Sequence, residues 1–330
     1  MMKAIWYEKF GPAAEVLQYG DRAIPRPGHG DVLVQMECSA PNPSDVKKRA
    51  GSSPDLLSAG PVIPHSDGAG CIVEVGTGVS AARVGERVWV YQAQFERQHG
   101  TAAQFVALPS ERAVWLPDNA DFATGACMGI PAMTAHRCVF ADGPVDGQVI
   151  LITGGAGRVG FYAVQWARMA GAMVIATASD EAGRHDCMLA GADVVINHRD
   201  DDFVEQVREL APDGLIDRVV DVDFGKNLPR NLELLGAGGV ISTYASASIA
   251  EPVLPFYQMM YRDLTVRFVI VYEMPEEAKD EAIEDITESL EQGHLLHRIA
   301  HRFPLAETAR SHEVIEQGGF RGCVVVDCAR

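Results

Sequence analysis

The chain has 330 residues, 47% of them hydrophobic, which suits a sizeable core divided over two domains and excludes disorder and collagen-like repeats. Its 28 Lys and Arg stand against 45 Asp and Glu, a formal charge of −17, and no basic cluster offsets that excess, so a nucleic-acid partner is excluded. Apolar stretches are broken by Gly, Pro or charge well before roughly 18 residues, and no basic-then-apolar leader opens the chain; this predicts a cytoplasmic protein with no membrane partner. The seven cysteines are odd in number and lack short paired spacings, as expected of reduced thiols.

Up to about residue 118 the chain runs in short alternating apolar segments punctuated by Gly and Pro: Asp31–Glu37, Cys71–Val75 and Glu86–Tyr91 read as strands of a mainly β domain. From Val149 the pattern changes. Val149-Ile-Leu-Ile-Thr153 is a continuous apolar run that leads into Gly154-Gly-Ala-Gly-Arg-Val-Gly160 and then a helical pattern through Ala170. The unit recurs as strands at Met173–Ala178, Asp193–Ile196, Asp217–Val222 and Gly239–Thr243, with helical segments between them, which predicts a doubly wound parallel sheet. A further strand is expected over Leu264–Val271, an acidic helix over about 275–292, and a last strand at Cys323–Asp327 that returns to the first domain.

Gly154, Gly157 and Gly160 lie between a buried strand and a helix at dinucleotide-fold spacing. The first permits the tight turn, the second lets backbone approach a pyrophosphate, and the third lets helix and strand pack closely, with the helix N-terminus offering free N–H groups. Arg158, inside the loop, reads either as a cationic phosphate contact or as a solvated residue. At the end of the second strand, where NAD binders present a carboxylate to the ribose, the chain has Ser179. Ser179 leaves room for a 2′-phosphate, and Arg184, His198 and Arg199 supply positive charge nearby, which favours NADPH. The neighbouring Asp180 reverses that argument if its side chain, rather than that of Ser179, faces the ribose.

These motifs, together with Ala40-Pro-Asn-Pro-Ser-Asp-Val-Lys47, Pro61-Val-Ile-Pro64, Asp67-Gly-Ala-Gly70, Val84-Gly-Glu-Arg-Val88, Gly100-Thr-Ala-Ala-Gln-Phe105, Gly191-Ala-Asp193 and Asn197-His-Arg199, make nearly the whole chain resemble the zinc-independent medium-chain dehydrogenase/reductases of the quinone oxidoreductase group, the zeta-crystallin-like enzymes. The resemblance implies an α/β fold in which a Rossmann domain, 121–263, is inserted in a GroES-like mainly β substrate domain, 1–120 plus 264–330, with the active site in the cleft between them. It implies cofactor contacts from Lys47, Thr134, Ala156, Gly157, Arg158, Val159, Ser179, His198, Asn227, Tyr244, Ala245, Ser246, Ile270, Val271 and Tyr272. The chain departs from the group's pattern at Lys47, often Tyr, at Arg158, often Gly, and in lacking a Lys near Gly183 or His185.

Zinc-binding relatives carry Cys where this chain has Asn42 and Gly-His-Glu where it has His65-Ser66-Asp67, and no Cys lies between Tyr91 and Gly100; no metal site is expected. Cys127, His136 and Cys138 read as packing positions. Without a metal to stabilise an alkoxide, alcohol oxidation is disfavoured, whereas a quinone or conjugated enone delocalises the incoming charge onto a remote oxygen. Asn42 and Lys47 are the candidate polar groups at that oxygen. Asn42 reads equally as an Asx-turn or N-cap residue, and Lys47 as a solvated residue of a first helical turn. The expectation is an NADPH-dependent reductase of small-molecule quinones or enones. The alternatives are an enoyl-thioester reductase and an NADPH-binding structural or regulatory protein with little turnover. An exposed sheet edge at Leu264–Val271 predicts a homodimer.

Overall fold

Alternating apolar residues joined by tight turns build an antiparallel sheet in the N-terminal part, and uninterrupted apolar runs build a parallel one after Val149. The structure, a computed structural model, describes residues 1–329. They divide into two units: 1–130 with the chain from 283 onward, and 131–282.

In the first unit the strand Asp31–Ala40 pairs antiparallel with Asp67–Val75, Phe105–Pro109 and Cys323–Asp327. The sheet continues through Arg87–Val90 to Ala113–Trp115 on one side. On the other, Cys323–Asp327 runs parallel to Ile299–Pro304. Val32, Val34 and Met36 turn to a core shared with Ile72, Val88, Val324 and Val326; each such side chain stabilises the fold by about 1.5–3 kcal/mol. The last strand thus returns to the first unit as the sequence predicts. The strand Ile299–Pro304 and the helix Thr308–Gln317 were not anticipated, because their apolar residues are sparse and half-exposed.

In the second unit six parallel strands stand in the order Val194–Ile196, Met173–Thr177, Val149–Ile152, Ile216–Asp221, Leu235–Thr243, Thr265–Phe268. Every residue of Val149–Ile152 is buried, as a central strand covered on both faces requires. The chain reverses its direction of travel across the sheet between Val149–Ile152 and Ile216–Asp221, which are hydrogen-bonded neighbours. Ligands of such sheets bind at the carboxyl ends of the strands flanking that point.

Two expectations are corrected. The strand forecast over Leu264–Val271 ends at Phe268 and gives way to a single helical turn, Val271–Glu273. The domain boundaries also move, because Thr265–Phe268 pairs with Leu235–Thr243 and so belongs to the parallel unit, whereas the helix Phe122–Gly125 packs on Asp31–Ala40 and Asp67–Val75 in the first unit.

Candidate functional site

The glycine loop connects Val149–Ile152 to the helix Arg158–Met169. Gly154 takes φ +64°, a left-handed conformation, and its N–H donates to Thr177 Oγ1 at 2.9 Å, tying the first strand end to the second. A Cβ at Gly160 would stand 2.3 Å from Gly154 O, so only glycine allows the helix to start this close to the turn. Gly157 is the N-cap and offers no side-chain cap to the first turn of the helix, which opens with Arg158 and Val159. Ala156 is nearly buried and Arg158 half-buried beside them.

At the reversal point Asp221, with no exposed surface, gathers donors from three segments. Oδ1 accepts from Asn227 Nδ2 at 2.8 Å, Thr153 Oγ1 at 3.1 Å and the Asp223 N–H at 2.9 Å, while Oδ2 accepts from Asn231 Nδ2 at 2.6 Å. The carboxylate clamps the first strand end to the fourth strand and to the helix Phe224–Leu234. Asn227 borders the strand-end pocket, with its amide N–H donating to Asp221.

That pocket is bordered by Gly154, Thr177, His198, Lys226, Asn227 and Arg230. The His198 ring is half-buried, and its Nδ1 is buried without a hydrogen-bond partner. Burial lowers its pKa, with Arg199, Lys226 and Arg230 acting in the same direction. Arg230 donates to the His198 carbonyl at 2.8 Å, and its guanidinium lies 5.5 Å from the Phe203 ring centroid. The Asp180 carboxylate is turned to its own helix, where Oδ1 accepts from Gly183 N–H at 2.7 Å as the N-cap of Glu181–Leu189. Ser179, half-buried, precedes it. Arg184 donates to the Val195 carbonyl at 2.7 Å. The cations brought to the pocket are therefore Lys226 and Arg230, which the sequence reading missed; their four-residue spacing on one helix was the available signal. A Cβ-intolerant turn at a helix N-terminus and an unpartnered buried imidazole nitrogen beside two cations fit a phosphorylated dinucleotide.

A second pocket of the same unit is bordered by Phe224, Tyr244, Ala245, Ser246, Phe268 and Ile270. Ser246 Oγ accepts from the Gly225 N–H at 3.0 Å, and Ala245 O from the Phe224 N–H at 2.9 Å, which fixes the turn after Leu235–Thr243. Val271 and Tyr272 are buried, Ile270 is exposed, and Thr134 is 5% exposed on the helix Met133–Phe140.

In the first unit Asn42 is 4% exposed; its Nδ2 donates to Asp67 Oδ2 at 2.8 Å and to Ala40 O at 3.3 Å, and its N–H to Asp45 Oδ2 at 2.8 Å. Its amide N–H groups tie the start of the helix Pro43–Lys47 to the sheet. Asp67 Oδ2 also accepts from Ile130 N–H at 2.7 Å, and burial pushes its carboxyl well above the ordinary range. Lys47 is exposed, whereas its neighbour Lys48 reaches Gln94 Oε1 at 3.2 Å. Cys127, His136 and Cys138 are all buried, and the His136 ring packs on Phe140 and edge-on to Trp166. Among the described residues no group of three or more His, Cys, Asp or Glu is arranged to hold a metal ion, and no helix is long and apolar enough to cross a membrane.

Residues 28–118 match the alcohol dehydrogenase GroES-like domain family, and 159–288 the zinc-binding dehydrogenase family. The chain is 30% identical over 322 residues to quinone oxidoreductase of Homo sapiens, covering 96% of this chain and 95% of that one. It is 28% identical over 326 residues to 2-haloacrylate reductase of a Burkholderia species, covering 95% of each. Among solved structures, a mycobacterial quinone oxidoreductase superposes with a TM-score of 0.87 at 27% identity, covering 99% of this chain and all of that one. A mycobacterial protein complexed with NADPH gives 0.86 at 26% identity, with the same coverage.

Proposed function

The chain belongs to the quinone oxidoreductase family of medium-chain dehydrogenase/reductases, and we propose that it is an NADPH-dependent reductase that transfers hydride to quinones or α,β-unsaturated carbonyls without a metal. The observation that carries this reading is the strand-end pocket: His198, Lys226 and Arg230 border it, the Asp223 carboxylate that also borders it accepts from Ser248, and the Asp180 carboxylate caps a helix. A 2′-phosphate is met there by charge-assisted hydrogen bonds, and an unphosphorylated ribose finds no acidic partner in Asp180. The N–H groups at the start of Arg158–Met169 hold the pyrophosphate, and Asp221 keeps the loop and the helix Phe224–Leu234 at their spacing. NADPH supplies the hydride.

The metal-free reading is supported by the residues at the zinc-ligand positions of the relatives. Asn42 offers an amide where they have a thiolate, Ser66 a hydroxyl where they have an imidazole, and the Asn42 amide donates to Asp67. A cytoplasmic location is supported by seven cysteines that are all free thiols. A homodimer is supported by the half-exposed edge strand Thr265–Phe268 and by the exposed aromatic rings of Phe256, Tyr257 and Tyr261 beside it in sequence.

The test is NADPH oxidation by chelated protein across a panel of quinones and enones, with stereospecifically deuterated NADPH to follow the label into the enone product. Oxidation with direct transfer to carbon is the expected result. Saturable NADPH binding without oxidation across the panel would leave only a binding protein.

A further inference from the structure

The strand-end pocket of the second unit carries an imbalance of charge. Of the ionisable groups that border it, Lys226 and Arg230 are cations and Asp223 is an anion, while His198 is the one whose charge can change near neutral pH. Asp223 is already engaged: Oδ1 accepts from the Ser248 N–H at 3.0 Å and Oδ2 from the Ser248 hydroxyl. Two cations less one carboxylate leave a single positive charge to meet the two negative charges of an ionised phosphate monoester, whose second pKa is about 6. One proton on His198 closes that difference.

The ring is placed to take it. His198 follows the strand Val194–Ile196, and Arg230 donates to its carbonyl at 2.8 Å, which fixes the backbone beside the pocket. The ring is half-buried and its Nδ1 has no hydrogen-bond partner, so no protein group at that nitrogen sets the tautomer or the charge. Charges face it from several elements: Arg199 and Asp200 from its own loop, Lys226 and Arg230 from the helix Phe224–Leu234, and Asp223 from the turn before that helix, while Phe203 adds an apolar ring. On the helix Glu181–Leu189, Asp180 turns to the Gly183 N–H and Arg184 to the Val195 carbonyl. Burial holds the His198 ring below the ordinary histidine range, and Arg199, Lys226 and Arg230 press it further down against Asp200. The nucleotide-free ring is therefore neutral at pH 7.

We propose that NADPH binds this pocket together with a proton, taken up by the His198 ring as the 2′-phosphate arrives, and that NADH binds without one. The proposal rests on the NADPH reading and adds to it a dependence of cofactor choice on pH. A dianion beside the ring offsets the cations that keep it neutral and favours the imidazolium. The new N–H bond forms as a buffer acid gives up its proton, and no electrons are transferred. The bound ring holds its proton to higher pH than the free ring, so the added affinity is lost as pH rises through the bound ring's pKa. An unphosphorylated ribose brings no charge and leaves the ring as it was.

The test is calorimetric titration of the wild-type protein with NADPH and with NADH at pH 7 in PIPES, HEPES and Tris, whose ionisation enthalpies differ; the change in heat with buffer counts the protons taken up. NADPH is expected to take up about 0.3–0.8 proton and NADH none. NADPH affinity should fall about 3- to 10-fold between pH 7 and 8.5, a range in which the phosphate is already ionised, while NADH affinity stays level. His198→Gln should abolish the uptake. Independently of the variant, one histidine in the NMR spectrum of ring-labelled wild-type protein should move to its imidazolium position with NADPH and not with NADH. Tighter binding of NADPH than of NADH with equal proton counts, or an uptake unchanged in His198→Gln, overturns the proposal and leaves the cofactor reading standing. Equal affinity for the two nucleotides overturns the cofactor reading, and the proposal falls with it. Proton uptake specific to NADPH with no oxidation of the cofactor by any quinone or enone supports the proposal and overturns the reductase reading.

Discussion

The Nε2 atoms of His65 and His312 lie 2.8 Å apart, with both rings fully buried and stacked at 5.1 Å between centroids. One ring must donate and the other accept, so at least one of the two is neutral. His65 Nδ1 continues to Ser39 Oγ at 2.7 Å, and Ser39 to Thr101 Oγ1 at 2.7 Å, so the pair ends a polar chain inside the β unit. Burial pushes both histidines down, His312 to about 3, with His65 further opposed by His312 and His312 by Arg49.

Each folded pKa lies below the unfolded value, so the unfolded chain binds more protons as the solution is acidified. For His312 the stabilisation is complete above about pH 6.5 and falls as pH drops towards 3, by up to about 1.4 kcal/mol per pH unit, and His65 acts in the same direction. Urea denaturation at a series of pH values should show this acid-side slope, and His312→Gln should make it shallower. An unchanged slope in the variant would place the acid sensitivity elsewhere.

At the strand-end pocket, Lys226→Ala should weaken NADPH binding by about 1.5–3 kcal/mol and leave NADH nearly unaffected. Arg184→Ala should do less, because Arg184 is held by the Val195 carbonyl. Calorimetry with both nucleotides separates the cases, and equal affinity of the wild-type protein for NADH and NADPH would count against the phosphate assignment.

Asp221→Ala removes the acceptor shared by Thr153, Asn227, Asn231 and the Asp223 N–H. Several buried donors are then left unpaired, so a loss of about 2–4 kcal/mol in unfolding free energy is expected, with weaker nucleotide binding in the same protein. Urea unfolding of the nucleotide-free variant measures the first effect and fluorescence titration with NADPH the second.

The exposed rings of Tyr257 and Tyr261, 5.9 Å apart between centroids, are expected to be covered in a homodimer. Sedimentation at micromolar concentration should show a dimer, and Tyr257→Asp with Tyr261→Asp should shift it to monomer without altering the circular dichroism. A wild-type monomer would leave the edge strand without a partner.

The parts of this protein legible from sequence are those encoded by local spacing. A continuous apolar run followed by Gly154, Gly157 and Gly160 carries its own geometry, since the turn, the close helix approach and the open N–H groups all arise within one strand–helix unit. The alternation of runs likewise specified a parallel sheet. What needed the tertiary structure is direction. That the Asp180 carboxylate caps its own helix is a side-chain rotation, and whether Lys47 or Lys48 turns inward depends on where one helical turn meets the loop at Gln94. His65 and His312 are far apart in the chain, as are Asp67 and Ile130 or Thr153 and Asp221. Such pairs carry no periodic signal, because the partner of a buried polar group is chosen by packing, after the sheets have formed.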